Sequence, residues 1–221
     1  MIRNHKAFGL ALAAVLALSA FAVSATQAEQ AGLKLTNANA AGYPLKLSGE
    51  QNAAHVFTFE GGRKIECSEV EFSWEILEAT DRIPLIPSYK QCKAPPFGLP
   101  ATVVVSPDCG YVLTPVKTSM DLDCTTEDVE FFVYQAGKAH EAVNEVCKYT
   151  VKKFENKKTV SYENLGGVKG VKVTFNVTGI EYSRVGGSEA NCGPATGKAT
   201  YTGTSTIIGR KAGELQEIHV E

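Results

Sequence analysis

Apolar and polar residues alternate along several stretches of this chain with the two-residue period of half-buried strands. The clearest is Val171–Thr178, where Val171, Val173, Phe175 and Val177 share one face and Lys172, Thr174, Asn176 and Thr178 the other. Gly179 interrupts it and Ile180–Tyr182 resumes it. Val70–Ile76 reads the same way, with Val70, Phe72, Trp74 and Ile76 inward and Glu71, Ser73 and Glu75 outward. Just before it, Ile65 and Cys67 are apolar on the opposite parity. A one-residue slip near Ser68-Glu69, of the kind a β-bulge makes, would bring both sets inside. His55–Glu60, Thr102–Ser106, Thr159–Glu163 and Thr200–Ile208 read as further strands, and Val129–Tyr134, apolar on both faces, as a buried one.

The stretches between are less regular. Residues 29–52 are small and polar and are expected to be flexible, with a lead-in strand near Tyr43–Leu47. Pro84 and Pro87 restrict Ile83–Ser88 to a sheet edge, because proline cannot donate to a ladder. Ala94–Pro100 is a proline-rich loop. Ala136–Val151 carries Ala139, Ala142, Val143, Val146 and Cys147 at helical spacing, then alternates over Lys148–Val151. Its β surroundings favour two short strands. Lys152–Lys158 reads as a basic turn and a place for a subdomain boundary, residues 185–197 as a glycine-rich loop, and Glu217–Val220 as a closing strand. The pattern predicts an all-β protein: an antiparallel sandwich or flattened barrel of roughly ten to twelve strands, in one domain over residues 53–221.

Six cysteines tighten that picture. Folding Ser106–Cys124 as a hairpin centred on Thr114–Ser119 sets Gly110 opposite Asp123 and Cys109 opposite Cys124, within disulfide reach. Cys67 and Cys92 flank a second hairpin that turns at Thr80-Asp81-Arg82. Cys147 and Cys192 are left to pair by subtraction. Three such staples would each stabilise the fold by roughly 3–4 kcal/mol on the loop-entropy account. No Cys-x-x-Cys and no close Cys/His pair occurs, so no metal is expected.

The N-terminus bears on compartment. Arg3, His5 and Lys6 precede the apolar run Ala7–Val23, and small residues end at Ala25 or Ala28, the grammar of a secretory signal peptide. The run is short for a membrane span of about 20 residues. No cysteine precedes Cys67 to carry a lipid. The expectation is a secreted, extracellular chain freed of residues 1–28, which leaves 193 of 221 residues. That leader carries two cations and no acid, so its loss takes the formal charge from −2 to −4. An acidic balance argues against nucleic acid and against an anionic membrane surface. The expected partner is an extracellular ligand or a component of the cell surface.

Catalytic patterns are mostly missing. Gly193–Thr200 (GPATGKAT) approaches a phosphate loop but is one residue short and leads into β-like sequence. Asp121, Asp123, Thr125, Glu127, Asp128 and Glu130 are acidic enough for calcium, yet the EF-hand glycine and final glutamate are replaced by Thr126 and Phe132. There is no Gly-x-Ser-x-Gly, and His55, His140 and His219 are scattered and read as strand or surface residues. Glu69, Glu71 and Glu75 lie on an outward face. Asn176-Val177-Thr178 matches a glycosylation sequon. Trp74 reads as core, whereas Tyr89, Phe97 and Tyr182, in or beside loops, are the aromatics offered for ligand contact. No catalytic, cofactor or metal residue is assigned. The reading is a non-enzymatic binding or structural module, with an extracellular hydrolase built on paired carboxylates as the alternative.

Phe97-Gly98-Leu99-Pro100-Ala101-Thr102-Val103, Cys109-Gly110-Tyr111, Val177-Thr178-Gly179-Ile180-Glu181-Tyr182, Cys192 and Thr200-Tyr201-Thr202-Gly203-Thr204 resemble a group of uncharacterised secreted actinobacterial proteins. The likeness covers most of residues 56–209 and departs in the longer, more charged Ala136–Lys158 region. It implies a signal peptide, about six cysteines and an all-β fold, and it brings no activity or site residue.

Overall fold

A computed structural model describes residues 33–35, 43–95, 97–125, 128–165 and 170–220. The expected leader 1–28 and the Gly166-Gly167 connection lie outside the described residues. Fifteen strands follow one another: β1 (Leu33–Leu35), β2 (Leu45–Thr58), β3 (Lys64–Ile76), β4 (Ile83–Ala94), β5 (Leu99–Val105), β6 (Cys109–Thr114), β7 (Ser119–Cys124), β8 (Val129–Tyr134), β9 (Glu145–Val151), β10 (Phe154–Lys158), β11 (Val160–Asn164), β12 (Val171–Gly186), β13 (Thr196–Lys211), β14 (Glu214–Gln216) and β15 (Ile218–Val220). A single helical turn, α1 (Glu189–Cys192), precedes β13.

Eight of these strands close into an antiparallel barrel in the order β4-β3-β2-β13-β12-β9-β8-β5. The seam is the pairing of β5 with the end of β4, Cys92↔Ala101, Lys93↔Pro100 and Ala94↔Leu99. Closure at that seam joins the two ends of the sheet into a ring. The remaining strands lie outside the ring. The first residues of β4 leave the barrel and pair with β6, Ile83↔Leu113 to Leu85↔Tyr111. β6 and β7 form the predicted hairpin with Cys109↔Cys124 and Gly110↔Asp123 in register. β10 runs along β7 and β11 along β12. Thr159 joins the last two, its N–H donating to Thr118 O and its carbonyl accepting from Asn176 N. The C-terminal β15 pairs with β1, and Asn164 clips it by donating to Val220 O and accepting from Val220 N.

Four expectations change. β4 as a whole lies inside the sheet and is not an edge strand, but over Ile83–Ser88, where both prolines sit, it has the one-sided pairing expected of an edge. Ile83–Leu85 pairs only with β6 and Ile86–Lys90 only with β3. Pro84 and Pro87 therefore each lie where β4 has a partner on one side alone, and a missing donor there breaks no two-sided ladder. The supposed basic turn at 152–158 is largely the strand β10. The lead-in strand expected near Tyr43–Leu47 is present as the start of β2, which begins at Leu45 and takes in the rest of the stretch expected to be flexible up to residue 52. In the ambiguous region only Glu145–Val151 is a strand, preceded by a 3₁₀ turn at Ala142–Asn144.

The parity slip in β3 is present: Ile65 and Cys67 are buried, then Val70 and Phe72. β4 makes the same switch between Tyr89 and Cys92, with Gln91 in the left-handed region at φ 50°. Cys67↔Cys92 and Glu69↔Lys90 thus keep one register, and the extra residue is absorbed against β2 between Glu50 and His55. The break at Gly179 is a register shift within β12 between Val177 and Ile180. All three expected disulfides are formed, Cys67–Cys92, Cys109–Cys124 and Cys147–Cys192. The interior is filled by rings, among them Phe57, Phe59, Phe72, Phe131, Phe175 and Tyr201, each worth roughly 1.5–3 kcal/mol on burial.

Candidate functional site

The antiparallel winding brings the end of β2, the start of β3, the end of β4, the start of β5, the end of β8 and the start of β9 to one mouth of the barrel. A cavity of about 260 Å³ opens there. Its buried floor is Phe59 and Tyr149, whose rings stack with centroids 4.1 Å apart. Ile65, Leu99, Val133 and Val146 supply apolar walls, and the Cys147 end of a disulfide lies beside them. The exposed rim holds Phe97, Lys64 and Asn191, with half-buried Arg63.

Local sequence explains the rim. Gly61 and Gly62, both at positive φ, turn the chain between β2 and β3 and deliver Arg63 and Lys64 to the mouth. α1 is fixed on the other side by its Cys192 bond to Cys147. Tyr149 donates its hydroxyl to Cys192 O at 2.8 Å, and Arg63 Nη2 donates to Ala190 O at 2.9 Å. Gly187 fits because a β-carbon there would stand 2.2 Å from Val146 O. Burial pushes the Tyr149 hydroxyl up to about 12, with Tyr182 adding to the rise and Arg63 and Arg184 opposing it. That hydroxyl stays neutral and serves as a donor, not as a base.

No protein family, curated protein or solved structure matches this chain.

Of the aromatics expected at a ligand, only Phe97 is available, with 80% of its surface exposed. Tyr89 and Tyr182 are core residues at 9% and 3%. Trp74 reverses in the other direction, being 38% exposed. Pairing of β3 with β4 ends at Ser73↔Ile86, because β4 departs for β6. Among the described residues Trp74 has a ladder partner on one side, Leu47 of β2.

His55 is the residue whose surroundings the sequence did not reveal. It is fully buried. Its Nδ1 lies 2.6 Å from Tyr201 Oη and its Nε2 lies 2.9 Å from Ser205 Oγ. Tyr89 donates to Tyr201 at 3.0 Å, and the Tyr89 and Tyr111 hydroxyls are 2.7 Å apart. Burial lowers His55 to about 4, against a smaller opposing contribution from the Thr204 backbone. The array is enclosed by Phe72 and Phe175, so a histidine beside a serine here is a satisfied core network.

The other candidates take structural places. His140 stacks on Tyr134 at 4.6 Å, and His219 is paired opposite Lys34 in the terminal ladder. Asp108 caps Thr125 through its backbone N–H and hydroxyl, Arg82 meets Asp121 at 3.6 Å, and Lys148 meets Glu130 at 2.7 Å. Among the described residues, no group of three or more His, Cys, Asp or Glu is placed to hold a metal. Glu69 and Glu71 face outward and share Lys90. Gly193–Thr200 runs into β13, and Lys198 N donates to the Glu60 carboxylate. Asn176 is exposed on β12. No helix among the described residues is long and apolar enough to cross a membrane.

Proposed function

We propose that this chain is an exported, non-enzymatic binding protein that holds one small ligand in the mouth of its barrel. The apolar cavity of about 260 Å³ carries the reading. An eight-strand barrel has an interior just wide enough for side chains or one small ligand, and here buried rings, Phe59 and Tyr149 among them, occupy the interior beneath the mouth. Ligand sites favour such concave apolar walls with a few convergent polar groups. Nothing in the lining is a nucleophile paired with a base. The leader grammar, the three disulfides and the likeness to secreted six-cysteine proteins support export.

The test is saturable binding of a neutral fluorescent probe, N-phenyl-1-naphthylamine, by the wild type and by Leu99→Trp, which fills the cavity. Binding at one site that Leu99→Trp removes is the expected result. No saturable binding, or binding unchanged in the variant, overturns the reading.

The alternative, a hydrolase with paired carboxylates, draws on a second cleft of about 870 Å³ lined by Glu60, Glu155 and Glu181. Four lysines, Lys152, Lys153, Lys157 and Lys198, line the same cleft. Turnover of chromogenic glycosides that Glu181→Gln abolishes would move the function there.

A further inference from the structure

We infer that the ligand of the barrel mouth is a small carboxylate with an apolar body, its head group held by Arg63. The inference rests on the binding reading above and adds the ligand's chemistry.

The chain as a whole has more acids than bases, 24 against 22. The cavity reverses that balance. Its charged lining residues are Arg63 and Lys64, and no carboxylate lines it. By contrast, the larger cleft sets four lysines among three glutamates, and Lys90, Lys148 and Lys172 are each engaged by glutamates. Among the described residues, Arg63 has no carboxylate partner. Its guanidinium spends one donor on Ala190 O and keeps the rest of its planar fork. That fork matches the two oxygens of a carboxylate and forms stronger bonds to an ionised acceptor than to a neutral one.

The rest of the cavity suits an apolar body. Ile65, Leu99 and Val133 line it above the stacked Phe59 and Tyr149 rings. Its volume falls just below the usual range for drug-sized ligands, about 300–1,000 Å³, which calls for a compact molecule. A long solvated head has no need of such walls, and an amine would meet two cations at the rim.

Calorimetric titration of octanoate, 1-octanol and octylamine into the oxidised protein separates these possibilities. The expected order is octanoate at least tenfold tighter than octanol, with octylamine weakest. Arg63→Gln should abolish the preference for octanoate, and octanol binding that persists at one site in that variant shows that the cavity is intact. Arg63→Lys, which keeps the charge and loses the fork, should fall between. Equal binding of octanoate and octanol, or an octanoate preference that survives Arg63→Gln, overturns the inference and leaves the binding reading standing. No binding of any of the three overturns both.

Discussion

His55 and Tyr201, 146 positions apart in the chain, meet inside the barrel with Nδ1 2.6 Å from the phenolic oxygen. The contact orders a whole row of hydroxyls. Tyr89 donates to Tyr201, so Tyr201 is left to donate to Nδ1 and Nε2–H to donate to Ser205 Oγ. Every polar atom of the neutral ring then has a partner, which a buried imidazole requires. A second proton on the ring would force Tyr201 to reverse and would place a charge in a site lined by Phe72 and Phe175.

Acid should therefore weaken the fold through this one residue. His55 titrates at about 4 when folded, chiefly because of burial, against 6.5 for an ordinary histidine. The unfolded chain binds the proton more readily, so the contribution is complete above pH 6.5, declines as pH falls towards 4 and is constant below. The gap corresponds to about 3 kcal/mol. Tyr89, Tyr111 and Tyr201 are raised by burial and stay neutral throughout. Urea unfolding at pH 7.5 and 4.5 should show that loss in the wild type, and His55→Gln should show less of it. Identical pH dependence in the two proteins would refute the assignment.

Gly203 is the backbone side of the same contact. A β-carbon there would stand 2.5 Å from His55 Nδ1. Gly203→Ala must displace the ring and break the row, at a cost of about 2–4 kcal/mol. In a His55→Ala background the same change should cost much less, since the group it strikes is gone. Additive costs in the double-variant cycle would show that Gly203 matters for another reason.

What the sequence could show depended on how local the cause was. Alternation over Val171–Val177 and the spacing of Cys109 and Cys124 depend on near neighbours, and both strand and hairpin came out as read. The barrel depends on Ala94 pairing with Leu99 across a proline-rich loop and on β4 changing partners midway. Neither leaves a periodic trace, and Pro84 and Pro87 marked only the stretch of β4 that has a partner on one side. The mouth is assembled from six strand ends and α1, so Arg63 and Lys64 were visible only as two cations after a Gly-Gly turn. His55 looked ordinary because Tyr201 and Ser205 lie far along the chain.

Trp74 gives a spectroscopic check on where β4 leaves the barrel. As the sole tryptophan, it reports one site. With 38% of its surface exposed, its emission should be shifted to long wavelength and quenched by acrylamide in the native state. Trp74→Phe should change stability by less than about 1 kcal/mol. Blue-shifted, unquenched emission together with a loss of several kcal/mol would restore Trp74 to the core and contradict the departure of β4 toward β6.

The disulfides should differ in cost and in what they protect. Cys109–Cys124 encloses a separation of 15 residues in a hairpin already held by its ladder, and Cys147–Cys192 one of 45. The loop-entropy relation predicts about 3 kcal/mol for the first and about 4 for the second. Replacing Cys109 and Cys124 by alanine should lower the melting temperature and leave the barrel mouth untouched. Replacing Cys147 and Cys192 should lower it further and also weaken probe binding, because that bond anchors α1 and with it Asn191 and the Ala190 carbonyl that positions Arg63. Two variants with equal loss of probe binding would mean that the bond at the mouth acts on global stability alone, and the cavity would lose its link to α1.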